Sequence, residues 1–147
     1  MKLISRLLTF LFLSVAIASA AELVNADSHA KIALQGYDPV AFFTDGHPTK
    51  GSPTISATHQ GYNYLFASGA HKAEFERHPG KYVPAYGGYC AFGVSKGKLF
   101  PVEIDTWEIV DGRLVLQFNQ DVKKKFAADK EANFRKAEAN WPKLQMQ

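Results

Sequence analysis

A single thiol, Cys90, stands in the stretch Tyr86-Gly87-Gly88-Tyr89-Cys90-Ala91-Phe92-Gly93. Alone in its chain, it has no partner for an internal disulfide. Two fates are open to it. As a thiolate beside a histidine or a helix N-terminus it serves as a metal ligand or a reactive group. As a small hydrophobe among Tyr86, Tyr89 and Phe92 it is buried and inert. The Gly87-Gly88 pair allows a second backbone or a ligand to come close.

A second constellation is His71, Glu74 and His78, spaced i, i+3 and i+7. On a helix that spacing puts the three side chains on one face. Two imidazoles and a carboxylate suit zinc or copper(II); the same residues also make an ordinary solvated face opposite Phe75. His59 and His47, in or beside turns, are further imidazoles that a fold can bring to Cys90 or to the Asp38 carboxylate. The candidate metal ligands are therefore Cys90, His71, His59, His78 and Glu74. Tyr37, Asp38, Tyr86 and Tyr89 are the candidate ligand-binding residues, rings with polar tips that either line an apolar pocket or fill a core. No nucleophile elbow, phosphate loop or dinucleotide fingerprint is present. Binding, not catalysis, is the expected role.

These residues must be positioned by short elements. Asp38 and Pro39 read as cap and first residue of a short helix or turn through Phe43. Strands 54–59 and 62–67 flank the turn Gln60-Gly61, with Tyr62, Tyr64 and Phe66 alternating onto one face. Ser68 caps a helix over 69–78, which Pro79-Gly80 ends and whose inward residues are Ala70 and Phe75. Periodicity leaves 89–95 open between helix and strand. Strands 107–110 and 113–118 flank Asp111-Gly112, a strong hairpin signal. Asn119 then caps a helical region to about Asn140, with Val122 and Phe126 an inward pair and Trp141-Pro142 closing it. The expectation is an α+β fold: one small domain with antiparallel hairpins, a short central helix and a C-terminal helical region.

The first twenty residues read as a secretory leader. Lys2 and Arg6 precede an apolar run from Leu7 to Ile17, and Ala18-Ser19-Ala20 suits cleavage. The chain then divides into the signal peptide (1–20), a polar lead-in (21–35) and the domain (36–144), in a periplasmic or secreted setting. Losing Lys2 and Arg6 lowers the formal net charge from +3 to +1. A nearly neutral domain lacks the basic surface that nucleic acid demands, and Lys123-Lys124-Lys125 fans around a helix as a solvated run. No later segment approaches the length of a membrane span.

The stretches Asp38-Pro39-Val40, Tyr64-Leu65-Phe66-Ala67-Ser68, Phe75 and His78-Pro79-Gly80-Lys81-Tyr82 together resemble the YHS domain family. Tyr86-Gly87-Gly88-Tyr89-Cys90-Ala91, Trp107-Glu108-Ile109-Val110-Asp111-Gly112 and Ala139-Asn140-Trp141-Pro142 look like its secreted bacterial branch. The resemblance covers 36–144 and implies a small α+β domain. For metal-trafficking members it also implies soft-metal binding through cysteines. Here those cysteine positions hold Ala41, Ala67 and His71, and copper(I) is selected by thiolates. Any thiolate site must therefore rest on Cys90, aided by histidines. The expected function is an exported YHS-like binding module that handles or senses a transition metal, copper ahead of zinc. The alternative is a metal-free domain binding a small molecule or a partner peptide in an aromatic pocket.

Overall fold

A computed structural model describes residues 23–147. The expected leader (1–20) and the first two residues of the lead-in lie outside the described residues. Within them the order is α1 (Ala41–Thr44), β1 (Ser52–His59), β2 (Tyr62–Phe66), α2 (Gly69–Arg77), α3 (Pro79–Tyr82), α4 (Ala91–Ser95), β3 (Glu103–Val110), β4 (Arg113–Gln117), α5 (Gln120–Ala128) and α6 (Lys130–Leu144). The fold is α+β, with two antiparallel hairpins that form separate two-stranded sheets. Among the described residues no helix is long and apolar enough to cross a membrane.

Both hairpin turns follow from their residues. Gln60 and Gly61, and again Asp111 and Gly112, have consecutive positive φ angles (49° and 84°, 50° and 73°), the turn geometry whose twist matches that of the flanking strands. Alternation on β2 buries Tyr64 and Phe66 against Phe75, with Tyr62 at the margin. Leu65, on the other face, is also buried. It packs directly under Gly51, where the chain passes too closely for any side chain at 51. The lead-in braces this hairpin: Ile32 bridges Asn63, and the Ala33 amide donates to the Asn63 carbonyl at 3.0 Å.

The helix caps stand where short polar side chains precede apolar runs. Ser68 Oγ accepts from the His71 amide (3.1 Å), and Asn119 Oδ1 accepts from the Val122 amide (2.9 Å), each filling an orphan donor of a first turn. The second hairpin is irregular. Its register slips between Glu103 and Glu108, and there the Asp105 and Trp107 carbonyls accept from Gln120 Nε2 and Lys123 Nζ of α5, both at 3.1 Å.

Several expectations need correction. Ala70 is exposed; on α2 only Phe75 reaches the core, because the helix touches the first hairpin along a narrow line. That helix ends at Arg77, with His78 as its C-cap, and Pro79-Gly80 opens α3 instead of a loop, proline being well suited to a first helical turn. Residues 91–95 are helical. The C-terminal helical region breaks at Asp129, whose φ and ψ (−144°, 64°) are non-helical. It also runs past Trp141-Pro142 to Leu144. Pro142 lacks the amide that would bond the Glu138 carbonyl. Packing of Trp141 against Tyr86 and Tyr89, with ring centroids 6.0 and 6.5 Å apart, and burial of Leu144 keep the last turn helical.

Candidate functional site

The residues with the most developed polar geometry are Asp38 and His71, 33 positions apart in sequence. Asp38 is fully buried. Its Oδ1 accepts from the amides of Val40 (2.8 Å) and Ala41 (3.3 Å), which opens α1. Its Oδ2 accepts from the Ala67 amide at the end of β2 (2.8 Å) and lies 2.6 Å from His71 Nδ1 on α2. With three backbone donors already on the carboxylate, the hydrogen in the last contact comes from the ring. A burial cost of several kcal/mol for an unpaired carboxylate is thereby met by four donors.

This bond fixes the imidazole. Nδ1 carries hydrogen toward Asp38, and Nε2 points outward beside Thr44 Oγ1 (3.3 Å) and Asp45 Oδ1 (3.6 Å). Thr44 Oγ1 in turn lies 2.9 Å from Asp45 Oδ1 and 3.2 Å from the Val40 carbonyl. His71 keeps about a fifth of its side chain accessible. The arrangement is a half-open imidazole nitrogen, held in one orientation from behind and flanked by a carboxylate. Chemically it accepts a proton, a hydrogen bond or a metal ion.

Among the described residues the other four metal candidates do not join His71 in an ion-holding group. Cys90 is 1% exposed, in a cluster with Leu34, Phe42, Leu114 and Leu116. It caps α4, its Sγ accepting from the Gly93 amide and donating to Gln117 Oε1, both at 3.4 Å. Glu74 accepts from Tyr82 Oη (2.9 Å) and is paired with Arg77, whose guanidinium holds its carboxyl below the usual range. His78 sits exposed between α2 and α3, so the helical face through 71, 74 and 78 is interrupted at its last member. His59 lays its ring edge-on to Phe75, 6.0 Å between centroids. Among the described residues no three His, Cys, Asp or Glu side chains are grouped to hold an ion.

The ligand-binding candidates also separate. Tyr37 packs on the Cys90 cluster with Lys50 Nζ 4.1 Å above its ring. Tyr86 and Tyr89 belong to the cluster of Val115, Phe126 and Leu144. Tyr86 Oη donates to Glu138 Oε1 (2.7 Å), and Arg113 donates to the same oxygen (2.6 Å) while lying over the Tyr86 ring. Burial, then the Glu138 carboxylate, push the Tyr86 phenol upward. Tyr89 Oη donates to the Val24 carbonyl (3.4 Å), and its phenol is also raised, chiefly by burial. Tyr86 and Tyr89 thus pack in or against the core with hydrogen-bonded tips. Sequence reasoning missed Thr44 and Asp45, which only the turn after α1 brings to His71. It also missed Gln117, whose alternating position on β4 gives no sign that its amide reaches Cys90.

Compared with known proteins, the chain matches no family model, no curated protein and no solved structure.

Proposed function

We propose that the protein is an exported binding module of the YHS type that handles a divalent transition metal, copper ahead of zinc, on His71 Nε2 and the Asp45 carboxylate. The observation that carries this reading is the 2.6 Å contact between Asp38 Oδ2 and His71 Nδ1. A ligating histidine commonly donates its other ring N–H to a carboxylate, which sets its tautomer and raises its basicity. Asp38 supplies that partner from a fully buried position.

The donors fit such an ion. Nitrogen and oxygen ligands about 2.0–2.1 Å from one tetrahedral centre stand roughly 3.4 Å apart, and Nε2 and Asp45 Oδ1 are 3.6 Å apart. An imidazole–carboxylate pair suits copper(II) or zinc, and copper(II) leads the divalent series at nitrogen and oxygen sites. Copper(I) fits poorly, since the only thiol lies in the Cys90 cluster. Two side-chain donors leave the remaining positions to water or to a partner's ligand. That suits exchange of the ion more than permanent storage.

Calorimetric titration of the mature chain with copper(II) and zinc tests the reading. One ion is expected per chain, with His71→Ala and Asp45→Asn each weakening binding at least tenfold and Cys90→Ala leaving it unchanged. Because His71 also braces Asp38, Asp45→Asn is the decisive variant; it touches only the outer side of the imidazole. Affinity unaffected by Asp45→Asn, or lost with Cys90→Ala alone, overturns the assignment.

A further inference from the structure

A separate cavity of about 370 Å³ opens over Cys90, bounded by Phe92 and Gly93 of α4, Phe100 of the connection to β3, and Phe118 and Val122 at the start of α5. Its walls are almost wholly apolar. Phe100 and Phe118 are 43% and 42% exposed, and apart from Met146 near the C-terminus they are the exposed large hydrophobics of the described residues. Their rings meet edge to face with centroids 6.2 Å apart. Two exposed phenylalanines side by side on one opening are a costly arrangement to leave in water. The surroundings hold them in place. The Cys90 amide donates to the Phe100 carbonyl (3.0 Å), and the bare Cα of Gly93 makes room for the Phe100 ring, which a Cβ there would meet at 2.7 Å.

The rim is cationic. Lys96 and Lys98 both border the opening. Lys96 Nζ lies 4.8 Å from the centre of the Phe92 ring. Neither ammonium is part of an ion pair among the described residues, whereas Lys72, Lys124 and Lys130 all have carboxylate partners. Asp121, on the neighbouring turn of α5, is committed to Lys124. The charge at the mouth is therefore positive and unanswered.

We propose that this cavity binds a monoanionic amphiphile of medium chain length, its hydrocarbon on Phe92, Phe100, Phe118 and Cys90 and its carboxylate between Lys96 and Lys98. The size agrees with a small amphiphile: pockets that take small-molecule ligands measure about 300–1,000 Å³, and this one, at about 370 Å³, lies near the lower end. The site does not depend on the His71 reading, since no residue is shared between them. Cys90 acts here as apolar floor, not as nucleophile; its Sγ is already hydrogen-bonded on both sides.

Titration of the isotopically labelled mature chain with decanoate below its micellar concentration, followed by amide chemical shifts, reads the site directly. Shifts centred on Gly93, Lys98 and Phe118 are expected. Decyltrimethylammonium, with the same tail and the opposite head, is expected to bind at least tenfold more weakly. A Lys96→Gln/Lys98→Gln double variant should weaken decanoate about fivefold, the scale of two exposed ion pairs, and Phe100→Ser/Phe118→Ser should abolish binding. Both double variants alter exposed side chains and keep the fold, which their unchanged dispersion elsewhere verifies. Absence of shifts, equal binding of the cationic amphiphile, or unchanged decanoate affinity in the lysine variant overturns the proposal; the last two outcomes would mark a merely apolar patch.

Discussion

An Asp38→Ala protein is expected to be less stable than the parent by about 3–5 kcal/mol, read as a lowered urea midpoint with an unchanged slope. The substitution removes one side chain but strands four donors. The amides of Val40, Ala41 and Ala67 and the ring N–H of His71 all end on this carboxylate, and the carboxylate itself, with Val40 and Ala41, is closed to water. Each abandoned buried donor costs about 1–3 kcal/mol, partly relieved as α1 and the 67–71 turn relax. Asp38→Asn separates the contributions. Its amide oxygen keeps the two bonds that open α1, while its NH2 group faces donors at Ala67 and His71, so an intermediate loss is expected. Equal midpoints for Asp38→Ala and the parent would show that the carboxylate does not hold the three segments together.

The second large effect lies at a residue without a side chain. Gly51→Ala would place a Cβ 2.3 Å from the Leu65 carbonyl carbon and 2.6 Å from its oxygen. Those atoms are backbone of β2, so no rotamer change relieves the contact. Overpacking of this kind costs about 3 kcal/mol, at the upper end of its usual range. The Gly51 amide also donates to the Gly36 carbonyl at 2.8 Å, so moving the chain aside sacrifices that bond. A fall in Tm of roughly 10 °C is expected for a domain of this size. A Tm within a degree or two of the parent would mean that the lead-in and β1 can separate from β2 at little cost.

Much of the fold was legible because its punctuation is local. Gln60-Gly61 and Asp111-Gly112 place both hairpin turns, although β3 begins at Glu103, four residues before the expected start, and Ser68 and Asn119 start their helices through their own side chains. What failed was set by tertiary packing. Trp141 and Leu144 carry α6 past a proline, and Asp129 breaks a helix whose periodicity continues across it. The site was half legible. Asp38 read as the cap of a helix begun by Pro39; the helix begins two residues later, at Ala41, although Asp38 Oδ1 still accepts from the Val40 and Ala41 amides. No local signal reveals that the second carboxylate oxygen serves residues 67 and 71. The i, i+3, i+7 spacing of His71, Glu74 and His78 misled for the complementary reason. It assumes a continuous helix whose polar groups are otherwise free, whereas Glu74 is claimed by Tyr82 and Arg77 and His78 lies beyond the helix end. The apolar cavity over Cys90 was invisible, since Phe92 lies on α4 while Phe100 and Phe118 lie in connections, with no shared period.

The slip in β3 has a bearing on solubility. A two-stranded sheet has no interior strand, so each hairpin offers backbone to any extended chain that meets it. Between Glu103 and Glu108 the ladder is interrupted, and main-chain acceptors there would be open to a neighbouring molecule. Gln120 and Lys123 reach across from α5 and occupy two of them, while Pro53 removes a donor from β1 in the other hairpin. The molecule thus guards its sheet margins against intermolecular strand addition with side chains of α5 along β3, a proline in β1 and, beside β2, the backbone of Lys31 and Ala33, which bonds Asn63.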